Sequence, residues 1–330
     1  MVSDPARLDA LRGDWLSLLE RGGANEAMRT PMWLLPWWQV FGGLGGRRLQ
    51  LGLFHEGDRL VGLVPLVWRR CWHRRAVPFR RLEPLGSGEP AGDGIWSDYL
   101  GVIAEAGAEA RIAAALAEAL TERAFGPWDE LVLPRMDGDS PATATLVEAL
   151  EHKGLLVERA SAGAAPYIPL PATWEAYLRA LSSSHRYFLK RSLRDFEQWA
   201  GGDVQLVCAS SPEELDEGRR ILVELHTERW QADGSGGLFR SPRYGAFHEA
   251  AQREMLRAGA LDLLWLRARG QAVAALYNLR WGGKISFYQS GRRTDLPANV
   301  RAGVVVHAYA IRRAIEAGLR EYDFLGGVSR

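Results

Sequence analysis

The chain has 330 residues, 41 of them basic and 40 acidic, for a formal net charge of +1. That length suits two domains of ordinary size, and 47% hydrophobic with 25% charged residues is a globular rather than a disordered composition. The near-neutral balance argues against a dedicated nucleic-acid binder, which needs excess cations to displace counterions from phosphates. Cys71 and Cys208 are too few for a disulfide framework or a cysteine metal site, and the seven histidines lack HExxH-type spacing, so no metal is implied. No run approaches the roughly 18 to 20 apolar residues that cross a bilayer, and the N-terminal MVSDPARLDALRGDW has no signal-peptide core. These features predict a cytoplasmic protein without a transmembrane segment. Thirteen tryptophans are many, and rings of that size mostly fill cores.

In chain order, residues 5–42 read as helices punctuated by Gly22-Gly23 and the Trp-rich 31–41. Leu49, Leu51 and Leu53 then alternate, His55-Glu56-Gly57-Asp58 turns, and 60–64 returns, which is a hairpin signal. Basic, irregular sequence follows to about Gly94, then a short strand at 97–101. Ile112, Leu116 and Leu120 recur on one face of an Ala-rich helix, 108–124. A strand at 130–133, a helix at 141–153 and strand material up to Pro169 complete the first half.

The second half repeats this order with little residue identity. A helix at 173–200 and a strand at 204–207 precede helices at 212–230 and 242–258. A hairpin follows, 261–266 and 273–279 around Arg269-Gly270-Gln271, then a strand at 285–289, a helix at 302–317 and a strand at 322–325. In that last helix Val304, Ala308, Ile311 and Ile315 form the expected buried stripe, with Gly318 placed to end it. The boundary between the halves falls at 165/166, within the Pro166 to Pro171 join. The fold class is α/β, an α+β mixed sheet in two similar lobes.

Five strings sharpen the reading: Leu63-Val64-Pro65-Leu66, Ser97-Asp98-Tyr99-Leu100, Leu225-His226-Thr227-Glu228-Arg229-Trp230, Tyr288-Gln289-Ser290-Gly291 and Tyr322-Asp323-Phe324-Leu325-Gly326. In this order they resemble the tandem-lobe, CelD-like (BioF2-like) bacterial acetyltransferases of the GNAT superfamily. More distantly they resemble the Fem-type aminoacyl-tRNA transferases. The likeness spans about 30 to 327. It implies a tandem GNAT fold and transfer of an acyl group from acetyl-CoA or another acyl-CoA. The acceptor would be an amine or hydroxyl of a small molecule or saccharide. Members of the family continue past the Asp-Phe-Leu-Gly string, so the chain ending at Arg330 predicts a second lobe without the last helix and strands of the core. The family's phosphate-binding string is replaced by Asn299-Val300-Arg301-Ala302-Gly303-Val304.

The resemblance directs attention to particular residues. A helix N-terminus attracts phosphate through its free N–H groups and dipole. Arg292, Arg293, Arg301, Ala302, Gly303 and Val304 are therefore the expected cofactor-binding residues. His226 is the candidate base, since imidazole titrates near pH 6.5. Asp323, at a strand end, is a second candidate base or an orienting group for His226, and Tyr288 a proton donor to the leaving thiolate or a group that positions the acceptor. Asp98 and Tyr99, in the matching strand of the first lobe, are expected to face acceptor in the inter-lobe cleft, with Trp230 as a further substrate contact. Arg186, Lys190 and Arg194 fall at i, i+4 and i+8, a basic helix stripe for a cofactor's 3′-phosphate, a phosphorylated or lipid-linked sugar, or tRNA, with Ser182-Ser183-Ser184 supplying hydroxyls just before it. Two other readings stand beside acyl-CoA chemistry: aminoacyl transfer from charged tRNA, which the neutral net charge disfavours, and a non-catalytic binding module.

Overall fold

The computed structural model describes residues 2–326, apart from 24, 75, 233, 235 and 236. Contacts divide the chain into two units, Met1–Gly163 and Ala164–Arg330.

The first unit opens with three helices, α1 (Ala6–Ala10), α2 (Arg12–Arg21) and α3 (Pro31–Phe41). Pro31 sits at the start of α3, where a missing N–H costs nothing. Trp33 and Trp37 are fully buried and donate their indole N–H groups to Ser97 and Glu89. The sheet follows, β1 (Arg48–Glu56), β2 (Arg59–His73), β3 (Val77–Pro84), the two-residue β4 (Ile103–Ala104), and β5 (Glu130–Leu131) reached through α4 (Glu109–Thr121). β1, β2 and β3 are antiparallel neighbours, and β5 joins β3 in parallel. Ile112, Leu116 and Leu120 of α4 are buried, as their spacing predicts. Leu116 and Leu120 pack with Val64, Leu66 and Leu82 of the sheet and with Leu146 and Leu150 of α5 (Pro141–His152).

The second unit contains β6 (Tyr167–Pro169), α6 (Trp174–Ala180), α7 (Ser183–Ala200), β7 (Val204–Cys208), α8 (Pro212–Ala232), α9 (Pro242–Arg257), β8 (Leu261–Ala268), β9 (Gln271–Trp281), β10 (Lys284–Arg292), α10 (Ala302–Glu316) and β11 (Glu321–Asp323). Its sheet runs β6-β11-β10-β9-β8-β7. Alternate residues of a strand face opposite sides. Leu264 and Leu266 of β8 join a core with α7 and α10, whereas Leu263 and Trp265 lie against Gly218 of α8. Helices on both faces explain why β8 and β9 read as nearly continuous apolar runs.

Both units therefore carry three antiparallel strands, a helix, and a fourth strand returning parallel to the third. The sequence readings differ from the structure at several places. The irregular basic stretch is the far half of β2 plus β3, because its arginines interrupt the alternation without interrupting the ladder. Residues 97–101 are not a strand; the pairing segment is β4, two residues further on. The single helix over 173–200 is two helices, since Leu181 and Ser182 are extended and Ser182 caps α7 by accepting the His185 N–H. Between α5 and Pro169, strand pairing is confined to β6.

Candidate functional site

β10 and β11 pair only from Lys284 to Ser286 against Glu321 to Asp323. A bulge between Phe287 and Gln289 leaves Tyr288 outside the β9 ladder, and β10 continues to Arg292 without its parallel neighbour. The gap opens beside the N-terminus of α10, where Arg301 is the N-cap and no side chain caps the helix. Helical pairing starts with the Val305 N–H donating to the Arg301 carbonyl, so the amides before it are the unsatisfied donors every helix start leaves.

A cavity of about 660 Å³ occupies this place. Its walls are the end of β10, the 293–300 loop and the first turns of α10, with Arg229 from α8 and Leu276 from β9. All six expected cofactor-binding residues, Arg292, Arg293, Arg301, Ala302, Gly303 and Val304, line it. Val304 lines the cavity and, half-buried, also packs against the core, while its neighbour Val305 is fully buried in it. Arg293 is neutralised by Asp295 and also donates to Gln271 Oε1 at 3.0 Å. Arg229, Arg292 and Arg301 have no carboxylate partner among the described residues; Arg229 donates to Ser290 Oγ at 3.4 Å, and Arg301 lies 5.0 Å over the Phe188 ring. The cavity is consequently cationic at a helix N-terminus, an environment that attracts phosphate.

No sequence signal marks one titratable residue of the cavity. His307, on α10 two turns beyond the entrance, lines the wall. Its Nδ1 lies 2.9 Å from the Tyr322 hydroxyl, and Phe287 meets its ring edge-on. Burial lowers its pKa to about 4, so it is neutral near pH 7. A lone histidine within Val304-Val305-Val306-His307-Ala308 carries no motif; only the parting of β10 from β11 identifies it.

His226 lies elsewhere. It is fully buried and absent from the cavity wall. Burial, with Arg229 adding repulsion, lowers its pKa to about 4. Its ring stands edge-on to Phe239 and near Trp230, in a chain of rings that continues through Tyr244 and His248 to Tyr277 and Tyr288. The Tyr288 hydroxyl is 3.1 Å from His248 Nε2, and burial holds His248 well below the usual imidazole range. Among the described residues neither His226 ring nitrogen, nor Trp230 Nε1, nor the Gln252 side chain, nor the Tyr277 hydroxyl has a hydrogen-bond partner. Such groups cost about 1–3 kcal/mol each when left unmet. The ring cluster adjoins the cavity because Gly291 packs directly against the backbone at His226.

The other expected site residues do not line this cavity. Asp323 is buried, accepts the Leu325 N–H at 2.7 Å and lies 3.5 Å from Lys284 Nζ, so it holds a turn and does not line the cavity. In the first unit Asp98 pairs with Arg135 at 2.9 Å, while Tyr99 has a positive φ, donates its N–H to the Arg135 carbonyl and accepts from Arg29. Arg186 donates to the Leu181 carbonyl at 3.3 Å, and Lys190 is exposed on α7. Among the described residues no group of three or more His, Cys, Asp or Glu side chains is arranged to hold a metal, and no helix is long and apolar enough to cross a membrane.

Residues 183–330, covering α7 to the end of the chain, match the family profile described as acetyltransferase (GNAT) domain. That match places a GNAT-type domain in the second unit. Solved structures share the fold of both units. A conserved protein of unknown function from Bacteroides thetaiotaomicron VPI-5482 is similar over 99% of this chain and 90% of that one, with 12% identity and a TM-score of 0.52. L-PGS from Bacillus licheniformis is similar over 97% and 78%, with 15% identity and a TM-score of 0.50. FemX is similar over 99% and 88% at 14% identity, with a TM-score of 0.47. No curated protein is a significant match. The GNAT profile covers β10, the cavity loop and α10 together, so the uncapped helix entrance lies inside the matched domain.

Proposed function

We propose that the second unit is an acyltransferase site that takes its acyl group, most simply acetyl, from a CoA thioester. The acceptor is an amine or hydroxyl of a small molecule or saccharide. The carrying observation is the uncapped N-terminus of α10, opening with Arg229, Arg292 and Arg301 onto a cavity beside the parted strands. The α10 amides and these arginines would hold the phosphates. The unpaired side of β10 would offer backbone groups to the extended arm of the donor, and the apolar Leu276, Leu296 and Val300 would cover its carbon chain.

Attack is direct. The acceptor nitrogen or oxygen bonds to the thioester carbonyl carbon, the C–S bond breaks, and the sulfur leaves as thiolate, which takes up the proton that the acceptor loses and becomes the thiol. His307 handles the proton lost by the acceptor. With a pKa of about 4 it is neutral throughout the physiological range and accepts the proton once bond formation has made the attacking group acidic. Trp230 and Tyr288, partly exposed in the ring cluster behind the wall shared at Gly291, contribute acceptor recognition, while the sealed His226 does not touch the acceptor.

Isothermal calorimetry with CoA, acetyl-CoA and an aminoacyl-tRNA tests the reading. Saturable CoA binding should weaken about tenfold or more in Arg301→Glu, from loss and reversal of a phosphate contact, and vanish in Gly303→Trp. Binding of the charged tRNA alone would replace the donor with an aminoacyl ester. Silence toward all three would leave a binding module without transferase chemistry.

A further inference from the structure

β1 stays paired to β2 only as far as Trp68, and β5 meets β3 only at Arg81 and Leu82. The pairs Arg70 with Arg80, Cys71 with Phe79, Trp72 with Pro78 and His73 with Val77 therefore form a ribbon of two strands alone. A two-stranded ribbon is marginal in water unless something packs on it. Here the end of the ribbon is bare: Trp72 is 57% and Val77 59% exposed, with Ala76 and Pro78 exposed beside them.

Charge on the arm is sorted by position. Six arginines and no acidic residue lie between Trp68 and Leu82. Those at the root are neutralised, Arg69 by Glu83, Arg80 by Asp129 and Arg81 by Glu130. Arg70 and Arg74, toward the tip, have no carboxylate partner among the described residues, and His73 is exposed beside them. Free cations and apolar side chains thus share the tip, while the ion pairs tie the root to the sheet.

We propose that this arm docks the protein on an anionic phospholipid surface. Trp72 and Val77 enter the boundary between headgroups and acyl chains, where indole is favoured, and Arg70 and Arg74 meet the lipid phosphates. A nucleic acid fits less well. It rewards a row of free cations along its backbone, whereas half of these arginines are already paired, and Ala76, Val77 and Pro78 gain nothing from phosphate. The attachment is peripheral and independent of the transfer reaction.

The test is co-sedimentation of the full chain with phosphatidylcholine vesicles, with and without phosphatidylglycerol, at low and high salt. Binding is expected only with the anionic lipid and weaker at high salt. Arg70→Glu and Arg74→Glu should each reduce partitioning about fivefold or more, since one arginine near such a surface contributes roughly that factor. Trp72→Ser and Val77→Ser should reduce it with little change in salt dependence. All four side chains are exposed, so thermal midpoints should match the wild type, which separates loss of docking from loss of folding. The proposal is overturned if the wild type ignores anionic vesicles or if none of the four variants changes binding. It is equally overturned if Trp72→Ser instead abolishes self-association, or binding to an oligonucleotide, in a protein that does not bind lipid.

Discussion

Gly291 and Gly303 line the same cavity and answer to different constraints. A Cβ on Gly291 would sit 2.5 Å from the His226 backbone nitrogen and 2.8 Å from the Leu225 carbonyl carbon, so α8 itself would have to move. Gly291→Ala should cost about 1–3 kcal/mol, as overpacking does, read as a lower urea midpoint at unchanged slope. A Cβ on Gly303 meets only Arg292 Cδ at 3.3 Å, the movable part of a long side chain. Gly303→Ala should therefore be neutral or slightly stabilising, because alanine is the better helix former. The histidines divide in the same manner. His307→Ala should slow turnover about 10²- to 10⁴-fold, the usual contribution of an acid–base group, with CoA affinity kept. The wild-type rate should stay level above pH 5 and fall as pH drops through about 4, where His307 becomes charged. His226→Phe should leave the rate nearly intact, since the ring it replaces is buried among Phe239 and Trp230. A large rate loss in that variant at wild-type stability would move the proton-handling role to His226.

Among the elements, the stretch 173–200 shows how a local signal outranks periodicity. Apolar spacing runs through it, yet the chain leaves helical geometry at Leu181, and Ser182 restarts it by satisfying an N–H of α7. The serine expected to contact a ligand is a helix cap. Ser182→Ala should cost about 1 kcal/mol, visible as a lower thermal midpoint, with no change in CoA affinity; a selective loss of affinity would return it to the binding site. The arm of β2 and β3 escaped detection for a related reason. Strand patterns reveal themselves through one buried face, and beyond Arg69 neither face of the ribbon is covered continuously.

At the scale of the whole molecule, ionisation couples folding to pH with opposing signs. Burial gives His226 and His307 folded pKa values of about 4 and holds His248 well below the usual imidazole range. In the unfolded chain imidazole titrates near 6.5. The unfolded state thus binds more protons below pH 6.5, and the stability these groups hold at neutral pH is lost progressively as pH falls through that window. Glu89 acts oppositely: burial raises its pKa to about 7, so its contribution declines as pH rises from 4.5 to 7. Three histidines outweigh one glutamate. Urea titrations should show stability falling by up to about 2–3 kcal/mol per pH unit at the steepest point between pH 6.5 and 4.5, and a flat profile there would contradict the buried, uncharged state of the histidines.

The order of elements was legible because burial writes itself into periodicity. Ile112, Leu116 and Leu120 recur at helical spacing, and the nearly unbroken apolar runs of β8 and β9 follow from a sheet covered on both faces. The family resemblance drew attention to the start of α10 and its arginines, and the structure brings those residues to the wall of one cavity. What only the tertiary structure decided is which groups meet the cavity. His226 and His307 both stand in helices among apolar neighbours, and no spacing separates them. The difference arises where distant segments meet: α8 closes over Gly291 and seals His226 away, while β11 ends at Asp323 and leaves His307 at the opening beside the unpaired length of β10. Exposure is set by packing between elements far apart in the chain, so a linear pattern cannot carry it.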